Sequence, residues 1–285
     1  VSNSLLQKGI FEILDLEKYS YPDTNNSVIQ FKLTGLQQTC LDEIKNIWTE
    51  KSAVLLRGIT GSGKTQIYME LIKENIRLGK QVLYLVPEIA LTSQLVQRIK
   101  KFFGTQLIEY HSGLSQKDRM AVWEACKSNH PLIVGARSSL FLPYQKLGLI
   151  IVDEEHDPSY KQNDPSPRYN ARDCALILAQ DHNAKIILGS ATPSLESYSN
   201  AISERFGSVV LDQRYGESQL PEIKLVSLKE ASQFGKLKGH FTDELLEAIK
   251  YQIDHKKQVL IFRNRRGYSP LLQCGNCNWE AFCDQ

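Results

Sequence analysis

This sequence predicts an α/β fold, a parallel sheet with helices on both faces. Three observations carry the prediction. From Ser52 to about Arg205 short continuous apolar runs alternate with segments of helical period, the junctions hold Gly, Pro, Ser or Thr, and the first run opens directly into a Gly-rich loop ending in Lys and Thr. Strands covered on both faces are apolar throughout, whereas strands with one wet face alternate.

The strand candidates are Ala53 to Arg57, Gln81 to Val86, Leu107 to His111, Leu132 to Val134, Leu149 to Asp153 and Lys185 to Leu188. Between them, Leu91, Leu95, Ile99 and Phe102 fall on one helical stripe, and Ser115 with Asp118 reads as a capping pair ahead of a stripe of Met120, Trp123 and the Lys127 stem. Upstream, Tyr21 to Ser27 is rich in Asn, Asp, Ser and Pro and reads as a linker (21–33) after a remnant over 1–20. Downstream of the main unit (34–205), Gly207 to Gly239 reads as irregular within a connector (206–240). A helix from Thr242 to about Asp254, with Leu245, Leu246, Ile249 and Ile253 on one face, and a strand from Gln258 to Phe262 then begin a second unit (241–285). One helix and one strand bury no core, so that unit is expected to be incomplete.

Composition bounds the rest. With 42% hydrophobic and 23% charged residues the 285-residue chain is ordinary globular material. No apolar run approaches the roughly 18 residues of a bilayer-spanning helix, which excludes a helical membrane protein. No charged stretch followed by an apolar one opens the chain, so a cytoplasmic setting is expected, with no membrane partner. The net charge is only +2, so any nucleic-acid contact must come from local patches. Position 1 is Val, the methionines are Met69 and Met120, and Cys274, Cys277 and Cys283 crowd the last dozen residues; the expectation is an internal fragment.

The loop Gly58-Ile59-Thr60-Gly61-Ser62-Gly63-Lys64-Thr65 fits the phosphate-binding pattern. Glycines let backbone N–H groups turn around phosphate oxygens, and the helix that follows adds its positive end. Lys64 would neutralise the β- and γ-phosphates of ATP and Thr65 would ligate Mg²⁺. The second motif is the apolar strand ending Asp153-Glu154-Glu155-His156. Beside a phosphate loop, Asp153 would hold Mg²⁺ through water and Glu154 would accept a proton from the attacking water. His156 is placed for coupling, and Ser190 and Thr192 of Gly189-Ser190-Ala191-Thr192-Pro193 could sense the γ-phosphate.

The ordered series of phosphate loop, Val86-Pro87-Glu88, Gly135-Ala136-Arg137-Ser138-Ser139, Asp-Glu-Glu-His and Ser-Ala-Thr resembles the first RecA-like lobe of superfamily 2 helicases. Leu33-Thr34 and Gln37 resemble the adenine-reading segment of that superfamily. His156 to Gln162, Arg168 to Asp173, Phe262-Arg263-Asn264-Arg265-Arg266-Gly267-Tyr268 and the spacing Cys274-x-x-Cys277-x5-Cys283 narrow the resemblance to the primosomal replication-restart helicases, the PriA (primosomal protein N′) family, from about Val28 to Gln285. Asn170 stands where that family usually has His, and Gly35-Leu36 stands where it has Pro-Glu.

The resemblance implies a complete first RecA-like P-loop NTPase lobe, the start of a second, and the end of a winged-helix-like domain over 1–20. It implies an ATP-dependent helicase moving 3′ to 5′, nucleoid-associated, acting on single-stranded and forked DNA with single-strand-binding protein and primosome or helicase-loading proteins. Arg137, Ser138, Tyr160, Lys161, Arg168, Tyr169 and Arg172 would meet DNA or couple to it, the tyrosines by stacking on bases and the cations by meeting phosphates. The arginine finger would lie late in the second lobe, so this chain alone is expected to bind nucleotide weakly and to unwind little.

Cys-x-x-Cys in a cytosolic chain favours zinc over a disulfide, so Cys274, Cys277 and Cys283 are candidate Zn²⁺ ligands. The resemblance implies two interleaved zinc centres, with further cysteines beyond Gln285. Cys40, Cys126 and Cys174 sit in helical patterns and are expected in the core. Two other readings stay open on the sequence: a fork-binding adaptor for which ATP use is dispensable, and a small-molecule P-loop kinase, which the Asp153 to His156 series disfavours.

Overall fold

The computed structural model describes residues 32–87, 94–214 and 222–262, and Cys277 by itself. The chain divides into two units, Val1–Ser218 and Gln219–Gln285.

Among the described residues the first unit begins with helix α1 (Gly35–Ile47), started by a capping box in which the Thr34 hydroxyl accepts from Gln37 N and the Gln37 amide accepts from Thr34 N. The chain then runs through β1 (Ala53–Gly58), α2 (Lys64–Arg77), β2 (Gln81–Leu85), α3 (Gln94–Phe103), β3 (Leu107–Tyr110), α4 (Gln116–Lys127), β4 (Leu132–Gly135) and β5 (Leu147–Asp153). A short hairpin of β6 (Lys161–Gln162) and β7 (Tyr169–Asn170) precedes α5 (Ala171–Asp181), β8 (Lys185–Ser190), α6 (Leu195–Ile202) and β9 (Gly207–Leu211). Seven strands make one sheet in the order β3-β4-β2-β5-β8-β1-β9, parallel at every pairing.

The continuous apolar runs resolve into two faces of period two. Val54, Leu56, Val82, Tyr84, Leu149, Ile151 and Ile187 pack under α1, α2 and α3, while Ala53, Leu55, Leu83, Leu85, Ile150, Val152 and Ile186 pack under α4 and α5. All six predicted strands are present within a residue or two. The expectation of irregular chain from Gly207 to Gly239 is corrected at its start: β9 pairs in parallel with β1 and closes that edge of the sheet. Its burial alternates, with Val209 and Leu211 inside and Ser208 and Val210 outside, as an edge strand covered on one face requires.

The stripe expected on α4 is also corrected. Ser115 caps the helix, accepting from Asp118 N at 3.2 Å, but the buried residues are Val122 and Cys126, while Met120 and Trp123 are 65% and 46% exposed. Cys40 and Cys126 are buried and Cys174 is half-buried.

In the second unit the described residues form α7 (Leu228–Gln233), a hairpin of β10 (Leu237–Lys238) and β11 (Phe241–Thr242), and α8 (Asp243–Asp254) capped by Thr242. The strand expected over Gln258 to Phe262 is not formed. Leu260 and Phe262 are exposed, and no described neighbour pairs their backbone, which a strand needs. Among the described residues no helix is long and apolar enough to cross a membrane.

Candidate active site

The site lies at the C-terminal edge of the sheet, where the loops after β1, β5 and β8 meet. In the loop after β1, Gly61 (φ +79°) and Gly63 (φ +92°) take the left-handed conformation that only glycine adopts freely. Gly63 starts α2 with no side-chain cap, and of the first turn Gln66 N donates to Gly63 O at 3.0 Å, so a ligand would be met by the N–H groups ahead of it. Gln37 braces the loop from behind. Its Nε2 donates to Ser62 O at 3.1 Å and fills the space a Cβ on Gly63 would need, at 2.1 Å. The Gln37 amide implied to read adenine is thus engaged with the chain at both ends. Lys64 is buried and donates from Nζ to Gly58 O at 2.7 Å.

A cavity of about 410 Å³ opens over the loop, lined by Thr60, Gly61, Gly63, Lys64 and Thr65 on one side and by Asp153 and Glu154 on the other. Asp153 ends β5, which β8 separates from β1 in the sheet. Its Oδ2 accepts from Tyr84 OH at 2.9 Å, and its Oδ1 accepts from Glu154 N at 3.1 Å and from Tyr68 OH at 3.4 Å. Burial, and then the charge of Glu154, push its carboxyl up to about 6, against the Tyr84 hydrogen bond and the Lys64 charge, which pull it down. Burial also raises Tyr68 and Tyr84 well above the usual phenol range, so both hydroxyls stay protonated donors. Glu154 takes φ +46°, a conformation that costs a non-glycine residue on the order of 1 kcal/mol.

The residues of the third loop close onto the acids. His156 Nδ1 lies 2.7 Å from Ser190 Oγ and 3.7 Å from Glu154 Oε2, and His156 Nε2 lies 3.4 Å from Thr192 Oγ1. Gly189 has no room for a side chain, because a Cβ there would stand 1.7 Å from Tyr68 OH. Helix α2, the acidic strand tip and the Gly-Ser-Ala-Thr loop are therefore held together by Tyr68, Asp153 and His156.

Residues 34–201, more than half of the chain, match the family described as DEAD/DEAH box helicase. This chain belongs to the DEAD/DEAH box helicase family. Helicases of this family work with ATP and Mg²⁺, and the cavity fits them: Ser62 Oγ is buried without a hydrogen-bond partner, Lys64 is held at the loop, and Asp153 ends facing it. Among curated relatives, the chain is 44% identical over 239 residues to the replication restart protein PriA of Haemophilus influenzae, covering 84% of this chain and 31% of that protein. It is 37% identical over 286 residues to PriA of Bacillus subtilis, covering 98% of this chain and 35% of that protein. The chain thus spans about a third of the length of these relatives. A solved structure of RecG bound to a three-way DNA junction aligns with 80% of this chain and 28% of its own at a TM-score of 0.56 and 18% identity, and the helicase MrfA aligns with 93% and 38% at 0.52 and 16%. Both likenesses show the fold.

Two residues expected at the DNA surface of the helicase are placed inside it. Tyr160 is 2% exposed and donates to Asp153 O at 2.7 Å, so it props the acidic tip and has no face free for a base. Arg172 is buried against Glu155, whose side chain is wholly enclosed, at 3.3 Å, and donates to Ser194 Oγ at 2.6 Å and Asp173 Oδ1 at 2.9 Å. Glu155, to which the sequence reading assigned no role, accepts from Ser194 N at 2.7 Å and Ser197 Oγ at 2.8 Å, joining the acidic motif to the start of α6. Nothing in sequence spacing links it to Arg172 or to those serines.

Ser138, Lys161 and Arg168 are exposed, Tyr169 is half-buried, and Arg137 donates to Ser159 O at 2.9 Å. Arg98, on α3, lines the same cavity over the loop. The sequence reading missed it because a lone arginine on an amphipathic helix looks like a solvated charge. Of the candidate zinc ligands, Cys274 and Cys283 lie outside the described residues and Cys277 is an exposed free thiol. No group of three or more metal-ligating side chains occurs among the described residues.

Proposed function

We propose that this chain carries the first ATPase lobe of a replication-restart DNA helicase or translocase, which moves 3′ to 5′ on single-stranded DNA, unwinds DNA at stalled forks and directs primosome assembly. The observation that carries the reading is the reach of His156 from the acidic tip to Ser190 and Thr192, beside a phosphate loop. A kinase needs the loop and the acids but has no use for a relay between two strand tips. The relatives' names, replication restart protein, supply the biological setting.

Bound Mg²⁺–ATP supplies a polarised terminal phosphate and the energy of its transfer to water. The chain does the rest. Lys64, now on the Gly58 carbonyl, and the unpartnered Ser62 Oγ would hold the phosphates, and Thr65, with Asp153 through water, would hold the cation. Glu154, held toward the cavity by its left-handed backbone, takes the proton of the attacking water. His156 passes the change at Glu154 to the Ser190–Thr192 loop, and Glu155 passes it to α6.

Forked DNA, single-strand-binding protein and helicase-loading proteins belong to this reading as partners, zinc held by Cys274, Cys277 and Cys283 as its structural metal, and the cytoplasm, at the nucleoid, as its setting. The test is fluorescent-ATP binding and hydrolysis by the 285-residue chain with and without oligo(dT). Binding is expected to be lost in Lys64→Ala and kept in Glu154→Gln, with weak hydrolysis that rises with oligo(dT). Nucleotide binding that survives Lys64→Ala, or hydrolysis indifferent to DNA, would sink the reading.

A further inference from the structure

The short 3₁₀ turn Arg137–Phe141 after β4 contains a residue that the nucleotide site does not use. Ser139, Leu140 and Leu142 are buried, while Phe141 between them turns outward and is 57% exposed. A single exposed apolar side chain is ordinary. This one is not single. The Phe141 ring stands edge-to-face with Tyr169, centroids 5.1 Å apart and planes at 81°, a favoured geometry for an aromatic pair. Tyr169 is itself fixed, paired opposite Gln162 in the β6–β7 hairpin, and Arg137 ties the turn to the same segment through Ser159 O.

We propose that Phe141, braced by Tyr169, is a stacking platform for a base of single-stranded DNA at the C-terminal edge of the sheet. The inference rests on the helicase reading above and adds the residue that grips the strand in place of the enclosed Tyr160. Charge at this place argues for stacking over phosphate attraction. Lys161 and Arg168 are exposed on the hairpin together with Asp164, and Asp173 is already paired with Arg172, so the positive excess there is small. An aromatic ring more than half exposed can stack on any base, as movement along a strand without sequence readout requires.

The test compares oligo(dT) with an abasic oligonucleotide of the same length, binding measured by anisotropy. Phe141→Ala is expected to weaken oligo(dT) binding at least about fivefold, the low end of what one stacked base contributes, and to leave abasic binding as in the parent. Phe141→Trp is expected to keep oligo(dT) affinity and to lose emission on binding, beyond any change in the parent, with oligo(dT) but not with the abasic strand. Equal oligo(dT) affinity of Phe141→Ala and parent, an equal loss on both oligonucleotides, or unmoved emission of the Trp variant at saturation would overturn the proposal. A parent chain that binds neither strand would instead reject the helicase reading.

Discussion

Asp153 combines two demands that oppose each other. In the proposed role of cation ligand it must be ionised, yet its burial holds its carboxyl at about 6. An acid whose folded pKa lies above its unfolded value of about 3.9 favours folding most when protonated. In the metal-free chain this contribution, on the order of 3 kcal/mol, is fully present below about pH 4 and fades as pH rises through about 6. Mg²⁺-dependent nucleotide binding runs the other way and is expected to fall as pH drops through about 6. Tyr84→Phe removes a hydrogen bond that pulls the carboxyl down, so the midpoint of that pH profile should move upward. An unmoved midpoint in a binding titration would show that Tyr84 does not act on Asp153. Arg172 makes a different prediction. Arg172→Ala leaves the enclosed Glu155 carboxylate without its cation, a change that costs about 3–5 kcal/mol in buried pairs, so thermal melting should fall sharply. A normal melting temperature with weakened DNA binding would instead restore the phosphate-contact role read from the sequence.

The elements divide by how much of their environment a local pattern records. The inner strands of the sheet were legible because burial on both faces leaves a nearly unbroken apolar run bounded by Gly, Pro, Ser or Thr, while the edge strand β3, with Glu109 and Tyr110 half-buried, was legible from its short apolar start and its flanks. Strand β9 was not legible. It alternates, is five residues long and starts on Gly207, so it resembles the loop around it until β1 pairs with it. On α4 the period was read correctly but its phase was not, because Met120 and Trp123 are larger apolar side chains than Val122 and Cys126, which reach the sheet. The correction can be measured. Trp123→Lys should change stability by no more than about 0.5 kcal/mol, as exposed sites do, whereas Val122→Asp should unfold the chain, since it places an unpaired charge in the core. If the two variants melt in the reverse order, the helix is rotated from the phase described. In the active site the same division holds. The loop and the acids are contiguous in sequence and were read directly, but the roles of Tyr160, Arg172 and Glu155 depend on partners that only the fold supplies.

For the whole chain, the net charge of +2 limits how DNA can be held. A protein that grips single strands by phosphate neutralisation loses affinity with salt at a slope of about −0.7 per neutralised phosphate. Of the cations expected at the DNA surface, Arg172 is committed to Glu155, and Arg137 gives one donor to Ser159 O. Lys161 and Arg168 remain exposed on the hairpin of the first unit. With two or three phosphates met there, the slope of log affinity against log salt for oligo(dT) should lie near −1.4 to −2.1. Stacking carries no such penalty, so a large share of the affinity should survive at high salt. Lys161→Ala with Arg168→Ala should flatten the slope, whereas Phe141→Ala should lower affinity at every salt concentration and leave the slope in place. A parent slope steeper than about −4 would mean that phosphate contacts dominate, made by cations other than those named.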